Sequence, residues 1–189
     1  TEARRFRGRH AILSGPAAGA VAALHAARRE GFERGIGFDM GGTSTDVSLY
    51  DRKFERSGEA VVAGVRINVP MMKIHTVAAG GGSILRFEDG RFQVGPGSAG
   101  ANPGPACYRN GRPLAVTDIN VLLGRIQPRF FPRVFGPDAD LPLDVDVVRQ
   151  RFTALCDQVA MATGHQQSVE AIGAGFLRIA VERMANAVK

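Results

Sequence analysis

The 189 residues carry 44% hydrophobic and 22% charged side chains, the balance of a globular chain long enough to bury a core of its own. No apolar run approaches the ~20 residues that span a bilayer and no secretory leader pattern opens the chain, while the two cysteines, Cys107 and Cys156, make no disulfide framework; a cytoplasmic protein without membrane association is expected. The net charge of +6 draws on Arg4, Arg5, Arg7 and Arg9 near the start, but the other basic residues are dispersed without interleaved aromatics, so residues 1–13 read as a solvated linker or preceding element and no nucleic-acid partner is expected.

In chain order, Ser14-Gly15-Pro16 supplies start signals for an alanine-rich helix over residues 17–29 that Gly31 closes. Residues 34–40 form a short apolar strand, Gly41-Gly42 breaks it, and residues 45–50 alternate, with Val47 and Leu49 on one face and Ser48 and Tyr50 on the other. That is a β-hairpin with a diglycine tip. A third extended stretch is predicted over residues 60–69, and residues 73–77 lead into Gly80-Gly81-Gly82-Ser83. Residues 84–87 and 91–94 flank Asp89-Gly90, which supplies the positive φ that a tight hairpin turn demands.

Glycine, proline and asparagine fill residues 95–113, which predict a loop. Three helices follow: one capped by Thr117 or Asp118 and ending near Gly124, one capped by Asp144 and reaching about Gly164, and one from Ser168 to the end. The helical part is thus residues 144–189. On the last helix Ile172, Phe176, Ile179, Val181 and Met184 make a packing stripe beside Gly173 and Gly175.

Chemistry concentrates in Asp39-Met40-Gly41-Gly42-Thr43-Ser44-Thr45-Asp46. Glycines at a tip let backbone N–H groups reach an anion without a Cβ in the way, and the hydroxyls of Thr43, Ser44 and Thr45 are donors to phosphate oxygens. The flanking carboxylates of Asp39 and Asp46 suit Mg²⁺ held through water. The same residue types also build ordinary hairpins, and no P-loop sequence with its lysine occurs anywhere.

Three other features carry less. Gly95-Pro96-Gly97-Ser98-Ala99-Gly100 satisfies the dinucleotide fingerprint, but Asn102-Pro103-Gly104-Pro105 blocks the helix that must follow. His10, His25, His75 and His165 lack metal-ligand spacing; His75, ahead of the triple glycine, is the one placed to serve a site. Cys107 reads as a packed thiol, having no histidine beside it in sequence to make it a nucleophile.

The motif Asp-x-Gly-Gly-Thr-x-Thr-Asp at residues 39–46 resembles the phosphate hairpin of the actin, Hsp70 and sugar-kinase superfamily. Further segments narrow the likeness: Ser14-Gly15-Pro16-Ala17, Ala79-Gly80-Gly81-Gly82-Ser83-Ile84, Val94-Gly95-Pro96 with Ser98-Ala99-Gly100-Ala101, Pro103-Gly104-Pro105-Ala106-Cys107-Tyr108, Val116-Thr117-Asp118 and Leu122-Leu123-Gly124-Arg125. Together they resemble the hydantoinase A and 5-oxoprolinase family over nearly the whole chain. One departure is Ala78, at the start of Ala78-Ala79-Gly80-Gly81-Gly82-Ser83, where that family usually has glycine.

The resemblance implies an α/β fold with the ribonuclease-H-like mixed sheet of actin-like ATPases, antiparallel hairpins and packed helices, with residues 1–189 as one phosphate-binding domain of a longer chain. It implies ATP and Mg²⁺ as cofactors, with Gly41, Gly42, Thr43, Ser44, Thr45 and the turn Gly80, Gly81, Gly82, Ser83 at the nucleotide. Asp39 and Asp46 would be catalytic and metal-positioning. The implied reaction is ATP-dependent opening of a cyclic amide or imide after phosphorylation of its carbonyl oxygen, with a small-molecule lactam as substrate and a hydantoinase B-like companion subunit or domain. A related ketone carboxylase subunit and a non-catalytic module of the same fold stand as alternatives. Since the superfamily closes ATP between two domains, and the family's first phosphate hairpin is not in this sequence, the chain alone is expected to be inert.

Overall fold

A computed structural model describes residues 11, 14–62, 64–68, 70–111 and 113–189; the arginine-rich start and the linker expected over residues 1–13 lie outside the described residues except for residue 11. The chain divides into two compact units, one comprising the residues up to Asp39 with Asp46–Thr76, the other Met40–Thr45 with Val77–Ala187.

The first unit opens with helix α1, Ser14–Arg29, one turn earlier than the proline alone suggests. Its end is a Schellman motif: Gly31, at φ 82°, donates to the Arg28 carbonyl at 3.1 Å, and Phe32 donates to Ala27 at 3.0 Å. The alternating apolar runs make strands β1, Arg34–Met40, and β2, Thr45–Asp51, of a four-stranded sheet. The other two strands are β3, Lys53–Phe54, beside β2, and β8, Ile74–Val77, also beside β2.

The burial of β2 departs from simple alternation. Val47, Ser48 and Tyr50 are buried while Leu49 is exposed, so Leu49 does not share the fate of Val47 on the face they were expected to occupy together. Tyr50 is held from α1, since the Arg28 guanidinium donates to its hydroxyl from Nε at 3.1 Å and Nη2 at 2.5 Å, and that hydroxyl donates to the Arg52 carbonyl at 2.6 Å. A polar inward position is stable here because its hydrogen bonds are made.

The single stretch expected over residues 60–69 is instead a small hairpin, β5, Ala60–Val62, against β6, Val65–Ile67, with Val62 opposite Val65. Gly64 at φ 80° turns the chain between them, a reversal that the surrounding run of valines conceals. Strands β4, Arg56–Ser57, and β7, Met71–Met72, pair with each other in a separate two-stranded ladder.

The second unit holds the larger core. Strands β9, Ser83–Glu88, and β10, Arg91–Ser98, form the expected hairpin, with Asp89 at φ 52° and Gly90 at φ 70° in the turn. Their register runs from Arg91 opposite Glu88 to Val94 opposite Leu85, then shifts before Ser98 opposite Ser83. The strand therefore runs on to Ser98, with an irregularity over residues 95–97 before pairing resumes, into residues assigned above to the loop.

Helices α2, Val116–Leu122, and α4, Val169–Asn186, pack on this hairpin, and α3, Val145–Thr163, packs against both of them. Asp144 and Ser168 cap the last two as expected, accepting from Val147 and Ala171, and Gly164 ends α3 in the left-handed region. On α4, Ile172, Phe176, Leu177, Ala180 and Met184 are buried, whereas Val181 is 49% exposed and falls outside the stripe. Phe87, Phe92 and Phe176 stack in sequence at centroid separations of 5.4 and 4.6 Å, tying the hairpin to α4 with the aromatic contacts that favour offset geometry.

Candidate functional site

The hairpin tip is built by backbone hydrogen bonds within the second unit. Gly41 N–H donates to the Ser44 carbonyl at 2.9 Å, and the tip carbonyls are then used from outside: Gly81 N–H donates to Gly41 at 3.1 Å and Gly82 N–H to Gly42 at 2.6 Å. A Cβ at Gly80 would lie 2.6 Å from the Gly41 oxygen and 2.8 Å from that of Gly42, and one at Gly82 would lie 2.9 Å from the Gly42 oxygen. Gly80 and Gly82 are therefore required by the approach of one backbone to another, while a Cβ at Gly81 would lie 2.9 Å from Thr117 Oγ1.

The remaining amides of that turn are paired too, Gly80 N–H with Ser83 Oγ at 2.9 Å and Ser83 N–H with the Gly80 carbonyl at 3.1 Å. Thr45 is wholly buried and its hydroxyl donates to the Ala79 carbonyl at 2.7 Å. Thr117 adds a second layer, its N–H at 2.8 Å and Oγ1 at 2.9 Å both donating to the Gly81 carbonyl. Gly80, Gly81, Gly82, Ser83 and Thr45 thus have their polar groups committed to holding the tip.

What the tip leaves open is specific. Gly41, Gly42 and Thr43 are exposed and Ser44 is half-buried, and among the described residues no acceptor meets the N–H groups of Gly42, Thr43 or Ser44 or the hydroxyls of Thr43 and Ser44. Consecutive unpaired amides in a tight turn form a concave donor surface for an anion.

The two carboxylates belong to the first unit. Arg52 N–H donates to the Glu33 carbonyl at 2.9 Å, Arg34 pairs with Asp51 at 3.0 Å, and Gly37 faces Ser48. Continued along β1 and β2, this antiparallel register sets Asp39 opposite Asp46 on the face toward α1. Both line a cavity of ≈ 220 Å³ with Pro16, Gly19 and Ile74. Asp46 Oδ1 accepts from the Thr76 hydroxyl at 2.5 Å, and Asp39 Oδ2 lies so near α1 that a Cβ at Gly19 would be 3.1 Å away. Like charges directly opposite across a strand pair repel, a cost that a bound cation removes.

The other singled-out residues fall outside this arrangement. His75 is exposed on β8 and does not line the Asp39 cavity, and among the described residues no group of three His, Cys, Asp or Glu side chains could hold a metal directly. No helix follows Gly95–Gly100, as the proline block requires.

Cys107 is fully buried in a 3-10 turn, Ala106–Tyr108, inside residues 95–113. Burial pushes its thiol well above the ordinary range, with the nearby Asp118 carboxylate adding to the shift, so it is a packed thiol. Neither Thr117 nor Asp118 holds the N-cap position of α2, which falls to Ala115 with no side-chain cap; Asp118 sits at the third helical position and reaches back to the Ala115 N–H. Its carboxylate accepts from the backbone N–H groups of Ala106 at 3.0 Å, Cys107 at 2.8 Å and Ala115 at 2.8 Å. Burial is the largest influence on it and raises its pKa, against those hydrogen bonds.

Sequence reasoning missed Thr76, Thr117 and the bonding role of Asp118. Thr117 and Asp118 stand out by position within a motif, but Thr76 becomes visible only once β8 is known to lie beside β2.

Comparison with known proteins gives the chain its family. 5-Oxoprolinase 1 of Arabidopsis thaliana is 48% identical over 194 residues, 98% of this chain and 15% of that protein. The solved ATP-dependent caprolactamase from Pseudomonas jessenii superposes with a TM-score of 0.75 at 36% identity, covering 93% of this chain and 24% of that one. Nucleotide-free acetone carboxylase superposes at 0.73 with 26% identity, covering 89% and 23%. These likenesses establish a mixed α/β fold with antiparallel sheets and helices, in a chain that spans 14% to 15% of the length of the first curated relatives it matches. A family model described as hydantoinase/oxoprolinase matches residues 1–189, and the chain belongs to that family.

Proposed function

We propose that residues 39–46 form a phosphate-binding hairpin of an ATP-dependent enzyme that opens cyclic amides, within an actin-like ATPase fold completed by other parts of a longer protein. The observation that carries this reading is the set of unpaired donors at Gly42, Thr43 and Ser44 on a tip whose carbonyls are fixed from behind. Preorganised amides stabilise charge without reorganising during the reaction.

In this reading Gly42, Thr43 and Ser44 orient phosphate oxygens through their N–H groups, Thr43 and Ser44 add hydroxyl donors, and Gly41 shapes the approach. Gly80, Gly81, Gly82, Ser83 and Thr45 act behind them, holding the tip in register rather than touching the nucleotide. Asp39 and Asp46 would hold Mg²⁺ through water, and the cation would relieve their mutual repulsion and supply positive charge for phosphoryl transfer. ATP would supply the phosphoryl group that activates a poorly electrophilic amide carbonyl by converting its oxygen into a phosphorylated leaving group.

Identity favours the amide-opening reading over ketone carboxylation: the chain is 48% identical to a 5-oxoprolinase and 36% to a caprolactamase, against 26% to acetone carboxylase. The related caprolactamase chain from Pseudomonas jessenii is named as subunit alpha, which supports a companion subunit or domain here. The two free buried cysteines suit a reducing, cytoplasmic setting; among the described residues no helix is long and apolar enough to cross a membrane.

The test is ATP hydrolysis by the full-length protein, with any companion subunit, in the presence of 5-oxoproline, hydantoins and lactams or of ketones and bicarbonate. Stimulation by a ring, lost in Asp39→Ala, is expected. Stimulation only by ketones with bicarbonate moves the protein to the carboxylase class.

A further inference from the structure

The Asp46 carboxylate is engaged through one of its two oxygens. Its Oδ1 accepts from the Thr76 hydroxyl at 2.5 Å, across from β2 to β8 and within one compact unit. The bond joins residues thirty positions apart in sequence, so it exists only because β8 pairs with β2. Asp46 makes no other side-chain hydrogen bond or ion pair among the described residues, and it lines the same cavity as Asp39.

We propose that Thr76 is a positioning residue for the divalent cation: its hydroxyl fixes the Asp46 carboxylate so that the second oxygen faces the cavity shared with Asp39. The proposal rests on the reading of Asp39 and Asp46 as the Mg²⁺ pair. The physical argument is that a carboxylate beside a like charge turns away from it unless held, and a hydrogen bond to one oxygen sets the ring of directions open to the other. Outer-layer partners of this kind typically account for 10–100-fold in metal affinity.

A threonine suits the position for two reasons. Its β-branch favours the strand, and χ1 is stiff, so the hydroxyl is presented in one direction at little entropic cost. Valine keeps both properties and removes only the donor, while serine keeps the donor and loses the stiffness. The pair of substitutions therefore separates the hydrogen bond from the packing.

The experiment is a Mn²⁺ titration of the full-length protein, followed by electron paramagnetic resonance with a non-hydrolysable ATP analogue present. Wild type, Thr76→Val, Thr76→Ser and Asp46→Ala are compared, with circular dichroism confirming equal folding. The expected result is loss of the site in Asp46→Ala, a roughly tenfold weaker Mn²⁺ dissociation constant in Thr76→Val, and near-wild-type binding in Thr76→Ser. Should Thr76→Val disturb folding, Thr76→Ala serves as the deletion, read against Thr76→Ser in the same way. Wild-type Mn²⁺ affinity in the deletion variant, with Asp46→Ala still abolishing binding, overturns the role of Thr76 alone. Unchanged binding in Asp46→Ala overturns the cation reading beneath it.

Discussion

Replacing Gly80 by alanine tests whether the triple glycine supports the phosphate tip. The added Cβ meets the Gly41 oxygen at 2.6 Å and the Gly42 oxygen at 2.8 Å, roughly 0.8 Å inside the separation at which carbon contacts become favourable. Both obstacles are backbone, so no side-chain rotation relieves them. Separating the turn from the tip stretches the bonds from Gly81 to Gly41 and from Gly82 to Gly42, now 3.1 and 2.6 Å, each worth about 0.5–1.5 kcal/mol net.

Overpacking of this kind costs about 1–3 kcal/mol in itself. If the tip yields instead of the whole unit, the amides of Gly42, Thr43 and Ser44 lose their common aim. An affinity loss of about 10–100-fold for nucleotide is then expected, equivalent to about 1.4–2.7 kcal/mol. The assay is calorimetric titration of the full-length protein with an ATP analogue, with Gly58→Ala as control because a Cβ there meets nothing within 4 Å. Wild-type nucleotide affinity in Gly80→Ala would refute the reasoning.

Asp118→Ala orphans three buried N–H donors, and at about 1–3 kcal/mol each it should lower stability by roughly 3 kcal/mol or more in denaturant unfolding. Because burial raises the folded-state pKa of Asp118, its stabilising contribution is full below the ordinary carboxylate pKa of about 4 and is lost as pH rises through the raised value; Asp118→Asn should flatten that part of the stability profile. Cys107 should resist alkylation in the native protein at pH 8 and react fully once unfolded, since its thiol is buried and shifted upward. Asp39→Ala should abolish ring-stimulated ATP hydrolysis while leaving the unfolding midpoint within about 0.5 kcal/mol of wild type, as an exposed position implies.

Local chemistry was legible where one residue dictates one conformation. Gly31 ends α1, Asp89-Gly90 turns the β9–β10 hairpin, and Asp144 and Ser168 cap their helices as the sequence indicates. Tertiary choices were not. Gly64 reverses a run of valines that reads as one strand, and Leu49 is exposed although its period matches Val47, because burial depends on what covers each face. The site divides in the same way. The hairpin of residues 39–46 announces itself through diglycine and paired carboxylates, but the sequence cannot say that Gly81 and Gly82 spend their amides on its carbonyls or that Thr76 reaches Asp46. Those facts depend on which backbones lie side by side.

The central claim is that the tip amides receive phosphate, and the most direct measurement is an experimental structure of the full-length protein with a non-hydrolysable ATP analogue and Mg²⁺. The account predicts phosphate oxygens about 2.7–3.2 Å from the N–H groups of Gly42, Thr43 and Ser44, with the cation beside Asp39 and Asp46. Phosphates bound elsewhere, with those amides still open to solvent, would contradict it.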